Sequence, residues 1–208
     1  MKRNHVSSAV IRRLPRYYRH LDDLYRSGVE RISSSALGQN LGLTASQIRQ
    51  DLSCFGEFGQ QGYGYNIKSL REEIAQILGM YQDHTAVIMG VGNLGRALIE
   101  NFGFAINGFR LLAAFDVREE IVGREISGVP ILHAGQLEEF AAAHPISVGV
   151  LTVPKDAAVE TAERLVRLGV PGIWNFTNTE LALSTPAVVE NVHFGDSLLS
   201  LSYRISEE

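Results

Sequence analysis

Six consecutive residues, Gly90-Val91-Gly92-Asn93-Leu94-Gly95, form a G-x-G-x-x-G loop between an apolar run, TAVIM, and an amphipathic stretch. Alone the pattern is weak, but between a strand and a helix each glycine acquires a task. Gly90 permits a tight turn, Gly92 lets backbone approach a pyrophosphate, and Gly95 lets the helix pack closely on the strand. The phosphates would rest on the amides at the helix N-terminus, where the dipole favours anions. The next apolar run, FRLLAAFD, ends at Asp116. An acid there accepts the ribose hydroxyls of an adenosine, which favours NAD over NADP. Arg118 suits a 2′-phosphate, but Asp116 would repel that group. A plainer use of these residues, a turn and an acid that ends a strand, stays open.

A second set of chemistry-bearing residues lies upstream. Thr44 and Gln47 give the T-x-x-Q spacing of a capping box, opening a helix whose Ile48, Leu52 and Phe55 turn inward. Gln47, Arg49, Gln50 and Ser53 then face outward. Arg49 suits a bidentate contact with guanine, Gln47 and Gln50 suit adenine edges, and Thr44 and Ser46 suit phosphate oxygens. Arg12, Arg13, Arg16 and Arg19 would neutralise backbone phosphates, so that affinity falls steeply with salt. The glycine-rich GEFGQQGYGYNI that follows reads as a hairpin wing. Its Gln61, Tyr63 and Tyr65 either touch a minor groove or close the small domain.

Catalytic constellations are missing from the sequence. The six histidines are scattered without paired ligand spacing, and Cys54 stands alone. Neither a Tyr-x-x-x-Lys pair nor a G-x-S-x-G elbow occurs. Lys155 and Asp156 come nearest to a reactive pair, and a helix cap at Asp156 explains them equally well.

The elements that must position these groups fall into two textures. Apolar positions Leu14, Tyr18, Leu21 and Tyr25 predict a helix from Leu14, with Pro15 in its first turn and Gly28 as its stop. Ser33 to Ser35 cap a short helix that Gly42 ends, so the helix opened by Thr44 is the second of a helix-turn-helix. Ser69 and Glu72 repeat the capping spacing for a fourth helix closed by Gly79, and MYQDH reads as a linker. Beyond it, TAVIMG, FRLLAAFD, ISVGVLTV and VPGIWNF alternate with helical stretches near 94–104, 134–143 and 156–168. Such runs without strict alternation are strands buried on both faces of a doubly wound α/β sheet.

Charge divides at the same place. Residues 1–80 hold 11 Lys and Arg against 7 Asp and Glu, while 81–208 hold 8 against 16, within a net −4. A basic module on an acidic remainder suits a nucleic-acid reader joined to something else. Hydrophobic residues at 45% and charged residues at 20% exclude a largely disordered chain, and no run suits a membrane span. The opening MKRNHVSSAVIRRLPR lacks the apolar run of a secretion signal, and a single cysteine suits a reducing cytoplasm.

TASQIRQDLSCFGEFGQQGYGY, IMGVGNLGRAL, AAFDV, GVLTVP and GIWNF, in this order, resemble the Rex redox-sensing transcriptional repressors of bacteria over nearly the whole chain. The resemblance implies a homodimer with an N-terminal winged-helix domain (1–80) that binds palindromic operator DNA. It implies a Rossmann-type NAD(H)-binding domain (81–194), and a C-terminal dimerisation helix (195–208) exchanged between subunits, with Leu198, Leu199 and Leu201 against the partner. The second domain would sense NADH against NAD⁺, and NADH would release the DNA. Thr152, Val153, Pro154, Asn175, Phe176 and Phe194 would approach the nicotinamide. Gln50 stands where the family often has lysine, Gln61 where the wing is often basic, Asn101 where an aromatic is frequent, and His193 where an acid is frequent.

The reading that unites these observations is a cytoplasmic, non-enzymatic, NADH-responsive repressor. Reduced nicotinamide is uncharged, so apolar surroundings at Val153, Pro154 and Phe176 would prefer it to the cationic oxidised ring. Two rivals stand beside it. One is an NAD-dependent dehydrogenase with an accessory helical domain. The other is a CoA-binding module, since related sheets hold CoA phosphates at a similar glycine loop.

Overall fold

The computed structural model describes residues 6–56, 58–60 and 63–207. The chain divides into two compact units, Met1–Gln82 and Asp83–Glu208.

The first unit holds α1 (Ser8–Arg26), β1 (Arg31–Ile32), α2 (Ser34–Leu41), α3 (Ala45–Ser53), β2 (Gly59–Gln60), β3 (Gly64–Asn66) and α4 (Ile67–Ile77). α1 starts six residues before the expected Leu14, because the Ser7 side chain accepts from the Val10 amide and Val10 extends the buried row upstream. Pro15 therefore lies inside the helix rather than in its first turn. The missing Pro15 N–H leaves the Ile11 carbonyl without its usual partner, a cost that burial of Val10, Leu14, Tyr17 and Leu21 offsets. Tyr17 is the fully buried tyrosine, while the expected Tyr18 packs half-buried against the same core: both spacings from Leu14 lie on a helical stripe.

Ser33 caps α2, Gly42 ends it in the left-handed region at φ 68°, and the Thr44 side chain accepts from the Gln47 amide to cap α3. α4 is capped by Asn66, whose side chain accepts from Ser69, rather than by Ser69 itself. β3 runs directly into the helix, so no residue separates the wing from it. The wing strands β2 and β3 pair antiparallel, and β1, unread in the sequence, pairs with β3 on the other side. Leu14, Tyr17, Leu21, Leu37, Ile48, Leu52, Ile67, Leu70 and Ile74 form this unit's core.

The second unit is a seven-stranded sheet of β4 (His84–Met89), β5 (Phe109–Asp116), β6 (Glu125–Ile126), β7 (Val129–His133), β8 (Val148–Leu151), β9 (Gly172–Asn175) and β10 (Val188–Asn191). Its order is β10-β9-β8-β4-β5-β7-β6, parallel except for the short edge strand β6. Leaving β6 aside, the parallel strands follow the 3-2-1-4-5-6 winding of dinucleotide-binding sheets, with the order reversing between β4 and β8. Ligands in such sheets bind beyond the carboxyl ends of the strands at that reversal.

Alternate residues of β4 separate the two faces. Val87 and Met89 join Phe115, Leu151 and Leu165 on one side; Ala86 and Ile88 join Ile99, Ala114 and Val150 on the other. Helices α5 (Asn93–Asn101), α6 (Leu137–Ala143) and α7 (Lys155–Arg167) link the strands, and α8 (Phe194–Ser206) ends the unit. Asp156 lies within the first turn of α7 rather than capping it, since Pro154 takes the cap position. β6, β7 and β10 are not announced by the sequence pattern, as no helical stretch separates β5 from β7 or β9 from β10.

Candidate functional site

The turn from β4 into α5 is built by two glycines with opposite surroundings to the third. Gly90 has φ 97°, and a Cβ there would lie 2.9 Å from the backbone of Thr152 and Val153, where β8 ends. At Gly95 a Cβ would come 2.1 Å from the Gly90 carbonyl oxygen. The close approach of helix, turn and neighbouring strand thus demands glycine at both. Around Gly92 nothing lies within 4 Å of such a Cβ. Gly92 is the N-cap of α5, and no side chain caps the helix. The first amides of α5 are therefore not taken by a capping side chain, as a phosphate-binding helix N-terminus requires.

Thr152 ties the reversal point together: its hydroxyl oxygen lies 2.7 Å from the Gly90 carbonyl and 3.1 Å from that of Met89. The side chain is thereby a strut between β4 and β8, and Val153 and Pro154 continue past it towards α7. Asn175 aligns with Leu151 on the neighbouring strand, which brings the ends of β8 and β9 to the glycine turn. The Asn175 side chain is fully buried and fully used. Its amide donates to the Thr179 carbonyl at 2.7 Å and to Asn191 at 2.8 Å, while its oxygen accepts from the Thr177 amide and hydroxyl. It shapes the loop after β9 rather than offering a polar group outward. Phe176 is buried against Trp174 at 4.6 Å between ring centres, and Phe194, 60% exposed, lies 6.0 Å from Phe176. His193, just before it, approaches Glu180 and Asn178, and Asn101, at the end of α5, donates back to the Ala97 carbonyl.

Asp116 closes the crevice at the end of β5. It accepts from the Val91 amide at 2.7 Å, and from the Arg118 amide, Nε and Nη2, each at 3.0 Å. Burial would raise its pKa, but the Arg118 guanidinium and the two amides outweigh burial and hold it at about 2. Arg118 also donates to the Val91 carbonyl at 2.8 Å, strapping the acid to the glycine turn. The guanidinium named in the sequence as a 2′-phosphate partner is thus the partner of Asp116.

In the first unit, α2 and α3 meet across a turn made possible by Gly38, which sequence reasoning passed over. A Cβ there would lie 2.5 Å from the Leu43 carbonyl oxygen, and the Leu43 amide donates to the Gly38 carbonyl at 2.8 Å. The available signal was a glycine at the interior of a predicted helix, where it normally costs stability. Thr44, Ser46, Arg49, Gln50 and Ser53 are exposed on α3, with Arg49 donating to the Ser34 hydroxyl at 3.0 Å. Tyr63 is 70% exposed at the wing. Tyr65 instead lies in the core at 8% exposure, because the alternation along β3 turns it inward. Gln61 lies outside the described residues.

Gln47 is half-buried, and its amide donates to Asp51 at 2.7 Å instead of reaching back to close the capping box. Arg13 is also committed, to Asp51 at 2.6 Å, so of the four arginines expected to face phosphates it is the one held inside. Arg12, Arg16, Arg19, Arg31 and Arg49 have no carboxylate within 4 Å among the described residues. They supply an unneutralised positive surface on this unit. Among the described residues no three His, Cys, Asp or Glu side chains gather as a metal site would need.

The family model "Putative DNA-binding protein N-terminus" matches residues 5–53, and "CoA binding domain" matches residues 81–179. The redox-sensing transcriptional repressor Rex of Thermoanaerobacter pseudethanolicus is 46% identical over 207 residues, covering 100% of this chain and 92% of that protein. Rex of Caldicellulosiruptor bescii is 48% identical over 207 residues, covering 95% of its own length. Among solved structures, RSP in complex with β-NAD⁺ and operator DNA superimposes with TM-score 0.91 at 46% identity, over 98% of this chain and 94% of that one. RSP in complex with β-NADH gives TM-score 0.90 at 43% identity, over 98% and 96%. With such identity sustained through both units, the chain belongs to the Rex family of redox-sensing transcriptional repressors.

Proposed function

We propose that this chain is a non-enzymatic repressor, acting in the cytoplasm as a homodimer, that binds palindromic operator DNA and releases it when NADH binds. The observation that carries the reading is the unbroken likeness to Rex repressors across both units, reading helix and glycine crevice alike. Residues 1–80 read DNA through Thr44, Ser46, Arg49, Gln50 and Ser53, with Tyr63 at the wing. Residues 81–194 hold the dinucleotide. Open space before Gly92 and the uncapped amides of α5 fit its pyrophosphate, Asp116 fits the adenosine ribose, and Val153, Pro154, Phe176 and Phe194 fit the nicotinamide. When bound, the cofactor supplies a redox-dependent charge: the oxidised ring is a cation and the reduced ring is neutral. Apolar side chains at that end discriminate by disfavouring buried charge.

Helix α8 in the 195–208 region is the dimer contact. In α8, Phe194, Leu198, Leu199, Leu201, Tyr203 and Ile205 are each between 56% and 71% exposed. So large an apolar surface on a 13-residue helix calls for a partner, and a second copy supplies the symmetric one. A mobility-shift titration on a palindromic operator tests the whole reading. NADH should free the duplex and NAD⁺ should not; retention of DNA at saturating NADH would overturn it.

The match to a CoA-binding domain supports one second reading, in which the crevice takes CoA. Competition decides between them. CoA that displaces NADH at equal concentration favours the second reading, whereas indifference to CoA supports the first.

A further inference from the structure

α3 carries one acidic side chain, and it is completely buried. The Asp51 carboxylate accepts four hydrogen bonds, two on each oxygen. Oδ1 accepts from Arg13 Nη2 at 2.8 Å and Gln47 Nε2 at 2.7 Å; Oδ2 accepts from Arg13 Nε at 2.6 Å and the Tyr17 hydroxyl at 2.5 Å. Arg13 and Tyr17 are one turn apart on α1, and Gln47 is one turn before Asp51 on α3. The carboxylate is therefore saturated, and it joins α3 to residues of α1 that lie 34 and 38 positions away along the chain.

Apolar neighbours on the same face, Ile48 and Leu52, hold α3 against the core through a non-directional term, which fixes the rotation of the helix less sharply than a hydrogen bond does. A bidentate guanidinium and a phenol on one buried carboxylate do not tolerate it, because hydrogen bonds weaken steeply off-axis. Rotation about the α3 axis is what decides where Arg49 and Gln50 point on the opposite face. A base-edge contact requires hydrogen-bond geometry, so small rotations are costly there.

We propose that Asp51 is the positioning residue of the operator-reading helix, with Arg13, Tyr17 and Gln47 as its strut, so that Gln47 orients the helix instead of reading a base. This rests on the repressor function proposed above. It makes a prediction opposite to simple charge counting. Removing an acid from a DNA-binding module should strengthen its hold on any duplex. Loss of helix orientation should weaken the specific complex alone.

The full-length chain would first select its operator from a randomised duplex pool. Affinities for that operator and for a random duplex of equal length are then compared. Asp51→Asn should lose operator affinity by about tenfold or more, within the range of one base contact, while random-duplex affinity stays level or rises. Tyr17→Phe changes no charge and should lose operator affinity in the same direction; it carries the test should Asp51→Asn fail to fold by thermal melting. Gln47→Leu is the third arm, read by changing each operator base pair in turn. A positioning role relaxes preference together at the several base pairs that Arg49 and Gln50 face, whereas a reader relaxes it at one. A specific-to-random ratio unchanged in both Asp51→Asn and Tyr17→Phe, or a single relaxed base pair in Gln47→Leu, overturns the proposal. A wild-type chain that selects no duplex overturns the repressor reading beneath it.

Discussion

At the residue scale the crevice is defined by what each glycine excludes. Gly90 and Gly95 are pressed against backbone, whereas a side chain at Gly92 meets nothing in the protein. Gly92→Leu should therefore fold with a melting temperature near that of the wild type, yet lose NADH binding, because the side chain enters the space a pyrophosphate needs. Nucleotide fluorescence and operator mobility shift would be read together: loss of both NADH response and operator binding would refute the separation of the two sites. Asp116 allows a test by pH. Its folded pKa, about 2, is below its ordinary value of 3.8, so its contribution to stability is present above pH 4 and is lost as pH falls towards 2. The gap in urea midpoint between wild type and Asp116→Asn should be widest near pH 6 and narrow by pH 3. A gap independent of pH would mean that the Arg118 pairing contributes nothing.

At the element scale, the helix-turn-helix depends on a helix backbone meeting a turn. Gly38→Ala places a methyl 2.5 Å from the Leu43 carbonyl, a backbone atom with little freedom to withdraw. Despite the better helix propensity of alanine, the substitution should destabilise the first unit by about 1–3 kcal/mol through overpacking, visible as a lower midpoint in chemical denaturation. Stabilisation by the substitution would show that the turn can open. The periodicity of α1 named its stripe but not which tyrosine lay on it, because Tyr17 and Tyr18 satisfy helical spacing equally from Leu14. The choice came from Asp51, an acceptor supplied by a different helix. α8 makes the converse point. Its Leu199 is left 71% exposed by the described residues. Leu199→Glu should yield monomers in sedimentation velocity, and an unchanged dimer would remove α8 from the interface.

For the whole molecule the governing relation is linkage. If NADH weakens operator binding by some factor, operator weakens NADH binding by the same factor. Couplings of roughly 1–3 kcal/mol correspond to about 5- to 150-fold. NADH titrations of the protein with and without saturating operator should match, within error, the factor obtained from operator titrations with and without NADH. Inequality of the two factors would require a third species, such as a change of oligomeric state.

Two modules, the glycine turn, the acid that ends β5, the helix α3 and the succession of the main strands along the chain were legible in the linear chain. Each depends on neighbours in sequence: caps three residues apart, a stripe every three or four, glycines spaced along one turn. β1, β6, β7 and β10 were not legible, since two- to five-residue strands acquire their hydrogen bonds from partners far away in the chain. The same limit governed single side chains. Tyr65 belongs to the core, Gln47 and Arg13 to Asp51, Arg118 to Asp116, and Asn175 to its own loop. A sequence states which hydrogen-bonding groups a residue carries. Only the folded chain, by burying some acceptors and leaving others in water, decides which of those groups are consumed within the protein and which stay free for a ligand.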